Sequence, residues 1–386
     1  MQKRKGMSRK GISMNKTIEL MVMGSLCLFV AAMVLGAQGG EKPVRVISWK
    51  RCLSQRGGFY AGGEAIRIAD NVLLYQRVNG GWLKGIDMAV VLSEEDKAVL
   101  LKDKDKGNST IDNGATHTQI RYLAKVYSGT RLERFRQGFR KGMDYLLEAQ
   151  YDNGGWPQFY PNRRGYSRYI TFNDNAMIGV MSVLRDIAEK KGDYTFVDEG
   201  RRRKAKEAVQ KGIECILKCQ IVVDGKRTAW CQQHDEKTFE PKPARSYEKI
   251  SICGSESVGI VRFLMGIDNP TEEIIKAIQN AVAWFDRVKL TGIRQVNKPD
   301  DSERSYDKVV IKDSTAPPIW ARFYQIGTNR PIFCGRDGKI KYTMAEIEHE
   351  RRTGYAWYGY GPADLLARDY PAWQKKWAPK KNVLKN

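Results

Sequence analysis

Two stretches of the chain share a layout of side chains that could bind a metal ion or transfer a proton. Asp112-Asn113 and Asn173-Asp174 each stand directly before an apolar pattern with helical spacing. Acid and amide side chains at a helix start ordinarily cap free backbone N–H groups, and two independent caps are the simplest interpretation. If both helices begin at the same end of a repeat, Asp112 and Asp174 would instead meet in one site.

The elements that must position these turns are helices that recur along the chain. Three helical patterns end at a glutamine and are followed by a turn and a tryptophan; Trp82, Trp156 and Trp230 recur at intervals of 74 residues. The helices that follow Asp112 and Asp174 alternate with the glutamine-ended ones. The pattern predicts an all-α fold, an α/α toroid-like helical repeat with long loops. Residues 291–315 lack this periodicity and are predicted to form a long loop or a small β excursion.

The charge of the chain indicates an acidic partner. Over 386 residues, 66 Lys and Arg against 44 Asp and Glu give a formal net charge of +22. No zinc-finger spacing, RNA-binding aromatic signature or basic-leucine pattern accompanies this charge, so we expect no nucleic acid partner. A solvated basic surface without a specific partner is the alternative.

The N-terminal residues indicate export. Residues 2–16 carry six Lys or Arg and no acid, and an apolar run of 17 residues, 20–36, ends in small residues. This is typical of a secretory signal, predicted at 1–38, with Met7 or Met14 as alternative starts. A membrane anchor is the second possibility. We expect residues 39–386 to form a single secreted, monomeric catalytic domain, for which an anionic polysaccharide is a better partner than nucleic acid.

Three arginines stand among aromatic residues in the segment 319–338: Arg322, Arg330 and Arg336. A guanidinium group binds a carboxylate through two parallel hydrogen bonds, and an aromatic face stacks on a sugar ring. The three arginines are therefore predicted to bind an acidic sugar. The alternative is pairing with nearby acids, which are too few to pair all three.

Five segments carry more specific motifs: DNGAT (112–116), NGGWPQFYP (153–161), ITFNDNAM (170–177), PARSYE (243–248) and the arginine segment 322–338. Together they resemble the family 10 pectate lyases, secreted enzymes that cleave polygalacturonate by β-elimination. The resemblance implies a mostly helical toroid-like fold, dependence on Ca²⁺ and an arginine base. Carried over by position, it makes Arg245 the base, Arg322 and Arg336 the ligands of substrate carboxylates, and Asp112, Asn113 and Asp174 the calcium ligands.

The chemistry of β-elimination explains these residue types. Removal of the C5 proton of a galacturonate leaves negative charge that its carboxylate must absorb, and calcium and arginine neutralise that carboxylate. Ca²⁺ takes about six to eight oxygen ligands, which the acidic turns, the sugar acid and water could provide together. Guanidinium has a pKa above about 12, so the pKa of Arg245 must fall for it to act as the base, and an alkaline optimum follows. An ion pair of Arg245 with Glu248 or Glu240 is the alternative.

Two other function classes fit the same residues. An inverting glycoside hydrolase would use Asp112 and Asp174 as acid and base. A non-catalytic protein would bind the acidic polysaccharide and break no bond. The expected products separate them, since only a lyase leaves 4,5-unsaturated oligogalacturonates.

Overall fold

A computed structural model describes residues 47–384 of the chain. The predicted signal segment, 1–38, lies outside these residues. Among the residues described, no helix combines the length and apolar character needed to span a bilayer.

Helices account for much of the described chain. They are α1 Trp49–Cys52, α2 Gly63–Tyr75, α3 Glu94–Lys102, α4 His117–Thr130, α5 Glu133–Ala149, α6 Ala176–Ala188, α7 Glu199–Cys219, α8 Glu256–Met265, α9 Glu272–Arg287, α10 His349–Gly354, α11 Gly361–Asp364 and α12 Tyr370–Trp377. The apolar faces of α4 to α9 are buried in one large core, and the pairs α4 and α5, α6 and α7, and α8 and α9 pack against each other.

The glutamines and tryptophans of the 74-residue recurrence connect one helix to the next. Gln76, at the end of α2, donates from its side-chain amide to the carbonyl oxygens of Gly80 and of Gly138 in α5, at 2.8 and 2.9 Å. Gln150 and Gln220 repeat this arrangement toward α7 and α9. Each of the three amides donates to two backbone carbonyls, so hydrogen bonds as well as apolar packing stabilise the repeat.

Twelve strands also occur in the described residues, paired in six two-stranded antiparallel sheets. They are β1 Ile170–Thr171, β2 Val222–Val223, β3 Lys226–Arg227, β4 Gln233–His234, β5 Ile252–Cys253, β6 Ile293–Pro299, β7 Tyr306–Lys312, β8 Trp320–Ala321, β9 Phe323–Tyr324, β10 Phe333–Cys334, β11 Ile340–Lys341 and β12 Tyr358–Gly359. The pairs are β1–β4, β2–β3, β5–β9, β6–β7, β8–β12 and β10–β11.

The predicted all-α toroid is therefore wrong. The fold mixes helices with strand pairs, and the described contacts give no support for a closed helical ring. The segment 291–315 contains the hairpin β6–β7, with Ile293 opposite Lys312. The error has a physical cause: a helix shows its period over ten or more residues, whereas a two-residue strand is too short to show alternation.

The short strand pairs bring the loops of the C-terminal third to the helix starts. β1, which precedes the turn before α6, pairs with β4, which precedes the loop that carries Arg245. β5, which precedes α8, pairs with β9, which follows Arg322. A second, smaller core that includes Tyr247, Phe323 and Trp357 lies beneath these loops. The strand pairs and this core position the arginines.

Candidate active site

Two short 3₁₀ turns, Asp112–Gly114 and Asn173–Asn175, lie directly before α4 and α6 and pack against each other. The middle residue of each is left-handed: Asn113 has φ 49° and ψ 37°, and Asp174 has φ 49° and ψ 33°. Asn and Asp tolerate this conformation better than other side chains. The structure thus brings together the two turns that the sequence predicted to share a site.

The Asp112 carboxylate is buried, with 2% of the side chain exposed. Its Oδ2 accepts a hydrogen bond from Lys84 Nζ. Its Oδ1 is also buried and has no hydrogen-bond partner among the described residues. A buried carboxylate oxygen without a partner is costly, so this oxygen marks a place where a ligand would bind.

The Asp174 carboxylate is more exposed and lies among charged groups. Its Oδ2 accepts a hydrogen bond of 2.9 Å from Asn173 Nδ2, and its Oδ1 lies 3.6 Å from Arg322 Nη2. Burial raises the pKa of Asp174, Arg322 lowers it, and the negative charges of Glu256 and Asp112 raise it further. A divalent cation between the turns would relieve the repulsion between the carboxylates.

The donor set of the turns suits Ca²⁺. Two carboxylates and the Asn113 amide are hard oxygen ligands, and one of their oxygens, Asp112 Oδ1, lacks a partner. In residues 47–384 no cluster of three or more His, Cys, Asp or Glu side chains could hold a metal ion alone. The turns would therefore supply only some of the ligands of a calcium ion, and other oxygen ligands would have to complete the site.

Arg245 forms the ion pair that was the alternative to a catalytic role. Its Nε donates to Glu248 Oε2 at 2.8 Å and its Nη2 donates to Glu248 Oε1. Burial lowers the pKa of Arg245, but the hydrogen bonds and charge of Glu248 outweigh burial and raise it. The Arg245 side chain is still 43% exposed, whereas Glu248 is buried. Glu248 also accepts a hydrogen bond of 2.8 Å from the Tyr355 hydroxyl. Glu248 thus orients an accessible guanidinium and opposes its deprotonation.

Arg322 is held more tightly and is only 10% exposed. Its Nη2 donates to Glu256 Oε1 and, at 3.2 Å, to Asn173 Oδ1, so it connects the start of α8 with the turn before α6. The Tyr355 ring lies 4.6 Å from its guanidinium carbon. Its Nε is buried and has no hydrogen-bond partner among the described residues. The fixed guanidinium of Arg322 therefore keeps N–H groups that have no acceptor among the described residues.

Arg336 and Arg330 lie farther out. Arg336 is 63% exposed and pairs with Glu350 at 3.1 Å; its guanidinium carbon is 6.0 Å from the Tyr247 ring, near Arg245. Arg330 stacks on Tyr342 at 3.6 Å, and the described contacts do not join it to either turn. The structure therefore brings Asp112, Asn113, Asp174, Arg245 and Arg322 together, places Arg336 at the edge, and leaves Arg330 outside.

Three residues that contact these groups were not predicted from the sequence: Lys84, Glu256 and Tyr355. A fourth, Glu248, was predicted only as an ion-pair partner of Arg245, and its role in orienting the guanidinium was not predicted. Glu256 had a detectable signal, because it opens α8, the third helix in the alternating set of α4 and α6. Lys84 and Tyr355 lie in loops without a pattern that would have singled them out.

Comparison with known proteins identifies the family. A family model described as pectic acid lyase matches residues 76–366 of the chain. The chain belongs to the pectic acid lyase family. This confirms the resemblance noted in the sequence, and every residue of the candidate site lies inside the matched range.

Two similar solved structures are of family 10 polysaccharide lyase from Cellvibrio cellulosa. One is a mutant in complex with trigalacturonic acid; it is 35% identical, with a TM-score of 0.71, and the match covers 86% of this chain and 96% of that chain. The other is also 35% identical, with a TM-score of 0.69 and coverage of 85% and 94%. No curated protein sequence matches the chain. Membership of the family makes this protein a polysaccharide lyase.

Proposed function

We propose that the protein is a secreted pectate lyase that cleaves polygalacturonate by calcium-assisted β-elimination and releases 4,5-unsaturated oligogalacturonates. The observation that carries the proposal is the meeting of two carboxylate turns with two arginines. Arg245 is accessible, and Arg322 has an N–H that lacks an acceptor. The trigalacturonic acid bound by the similar Cellvibrio lyase supports a galacturonate substrate.

Asp112, Asn113 and Asp174 would hold the calcium ion together with a substrate carboxylate and water. When bound, calcium supplies positive charge beside the uronate carboxylate and so favours loss of the C5 proton. Two supports come from the chain: the Asp112 Oδ1 that lacks a partner, and the repulsion between Asp112 and Asp174. Because the turns provide few ligands, calcium and substrate should bind cooperatively.

Arg322 would orient the substrate carboxylate. Glu256 and Asn173 fix its guanidinium, so little side-chain entropy is lost on binding. Its Nε–H, which lacks a partner, can donate to the sugar acid. Arg336 would contact a sugar at the rim through its exposed guanidinium, and Arg330 has no part in the proposed reaction.

Arg245 would remove the C5 proton. In the step, the C5–H electron pair forms the C4–C5 double bond, the C4–O4 bond breaks, and the leaving oxygen takes a proton from water. Arg245 must be a neutral guanidine to accept the C5 proton. Its ion pair with Glu248 must therefore weaken when substrate binds. Nearby positive charge from Arg322 and calcium favours this neutral form, and the Tyr355 hydroxyl can continue to satisfy Glu248.

The proposed site is made from one chain, so a monomer suffices. The polymer substrate is too large to enter a cell, which agrees with the secretion predicted from the N-terminal residues. The apolar segment 20–36, the alternative membrane anchor, lies outside the described residues.

Product chemistry tests the proposal. Polygalacturonate is incubated with the protein and calcium, and ultraviolet absorbance and reducing ends are followed together. The proposal expects both to rise in step, because each elimination creates one double bond and one reducing end. Reducing ends without absorbance would indicate hydrolysis by Asp112 and Asp174, and binding without either signal would indicate a non-catalytic protein.

A further inference from the structure

Lys84 lies at the boundary between the Asp112 turn and solvent. It belongs to the loop between α2 and α3, two residues after the buried Trp82, and donates from Nζ to Asp112 Oδ2. Its side chain is 41% exposed while that of its partner is buried. The ammonium group therefore covers the carboxylate from the outside.

This arrangement places a cation on one oxygen of the carboxylate that the proposed calcium site needs. The other oxygen, Asp112 Oδ1, is the buried one without a partner. Calcium on Oδ1 would lie close to the Lys84 ammonium, and the two cations would repel each other across a single carboxylate. Lysine has a long flexible side chain, so Nζ can move away without movement of the backbone.

A cleft is available to receive the displaced ammonium group. Lys84 and Asn113 line a cavity of about 640 Å³ whose wall also includes Trp49, Lys50 and Asp87. The Asp87 Oδ1 accepts hydrogen bonds from the backbone N–H groups of Trp49 and Ala89, at 2.9 and 3.0 Å. This volume lies within the range of ligand sites, roughly 300–1,000 Å³. An indole ring can stack on a sugar ring, and the Lys50 ammonium adds positive charge to the wall. The cleft adjoins the calcium side of the site through Asn113.

We infer that this cleft is a further uronate subsite and that Lys84 binds the uronate carboxylate there after calcium displaces it from Asp112. The inference rests on the proposed function for the identity of cation and sugar. In the absence of calcium, Lys84 stabilises the buried Asp112. With calcium bound, the ammonium loses its acceptor on Asp112, and the acidic sugar in the cleft supplies a charged replacement.

The inference predicts opposite changes in two binding constants when the Lys84 charge is removed. Lys84→Gln keeps a hydrogen-bond donor for Asp112 but loses the charge. Without sugar, the variant should bind calcium about fivefold or more tightly than the parent, because the competing cation is gone. With saturating calcium, it should bind hexagalacturonate about fivefold or more weakly, because the carboxylate ligand of the cleft is gone.

Calorimetry measures both constants in the full chain, with Arg245→Ala in parent and variant so that turnover does not add heat. Lys84→Arg keeps the charge and should resemble the parent in both measurements. Lys276→Met removes a lysine from an exposed ion pair with Glu272 on α9 and should change neither. Thermal unfolding with and without calcium verifies folding and gives a second readout, since calcium should raise the Tm of Lys84→Gln more than that of the parent.

Weakening of both constants would overturn the inference, because Lys84 would then only support the Asp112 site. A change in one constant alone, or in neither, would also overturn it. The proposed function fails by a different result, the absence of unsaturated products from the wild-type protein. The two failures are therefore distinguishable.

Discussion

The turns before α4 and α6 have the same backbone but different surroundings. Asn113 and Asp174 occupy equivalent left-handed positions, so acid and amide exchange places between the turns. Asp112 is buried and bonded to Lys84, whereas Asp174 is partly exposed and faces Arg322. Each carboxylate thus has a cationic partner, but the carboxylate of Asp112 is buried and that of Asp174 is accessible from solvent.

This difference shows how a repeated turn can form an asymmetric site. The two acids occupy different positions in their turns, Asp112 the first and Asp174 the middle one. Because of this difference in position, each carboxylate has a basic partner from a different part of the chain: Lys84 before α3 for Asp112, and Arg322 between β8 and β9 for Asp174. If the turns hold calcium, as we propose, neither carboxylate is the base, and a third group must take the proton.

The largest effect on activity should follow removal of Arg245, the proposed base. Arg245→Ala should lower kcat by about 10²–10⁴-fold, the usual contribution of a general base. Binding of oligogalacturonate, measured by calorimetry, should persist, because the turns and Arg322 are unchanged. Arg245→Lys, which retains a possible base, should keep a trace of activity. Near-native turnover of the alanine variant would assign the proton transfer elsewhere, including to a turn carboxylate.

A double-mutant cycle on the turns tests whether they share one ion. Asp112→Ala and Asp174→Ala should each lower activity at low calcium by about 100-fold or more, at least as much as the loss of an outer-shell partner of a metal ligand. The double variant should lose little more than either single variant, because each already loses the ion. If the activity losses of the single variants multiply in the double variant, the two carboxylates act independently. If activity is retained and each variant loses about 1 kcal/mol of stability, the two acids are independent helix caps.

Arg322 and Arg336 should contribute differently to substrate binding, because Arg322 is largely buried and Arg336 is exposed. Arg322→Ala should weaken oligogalacturonate binding by roughly 1.5–3 kcal/mol, the range for a charged hydrogen bond. It should also lower the Tm, because it leaves the buried Glu256 without its cation. Arg336→Ala should weaken oligogalacturonate binding by about 1 kcal/mol or less and leave the Tm almost unchanged, since Arg336 and its partner Glu350 are exposed. Equal effects on binding and Tm would contradict the placement of Arg336 at the rim.

The smallest effect separates the charge of Asp174 from its backbone. Asp174→Asn keeps a side chain that tolerates the left-handed conformation, so its free energy of unfolding without calcium should match that of the wild type. Asp174→Ala should be less stable by about 1 kcal/mol. Chemical denaturation in chelator measures both. Identical stabilities would show that backbone strain is not what selects Asp or Asn here.

The sequence allowed prediction of the turns because they stand directly before long helical patterns. Helical periodicity identifies a helix start to within a few residues, and the alternation of helices places both starts at one end. From that order we predicted that Asp112 and Asp174 share a site, with two independent helix caps as the alternative. This prediction did not require knowledge of any loop conformation.

The arginines and the strands could not be placed in this way. Arg322, Arg330 and Arg336 have the same composition around them, yet one is buried in the site, one stacks on Tyr342 and one lies at the rim. Two-residue strand pairs decide these positions, and they leave no alternation to detect. The same limit produced the wrong all-α prediction and hid Lys84, whose partner lies 28 residues away.

The calcium dependence of the elimination rate tests the central claim most directly. Ultraviolet absorbance is recorded while wild-type protein acts on polygalacturonate in calcium, then after addition of a chelator, and then after excess calcium is restored. We predict a rate that rises to saturation with calcium, stops in chelator and recovers when calcium returns. An unchanged rate of unsaturated product in chelator would contradict the shared calcium site between the two turns.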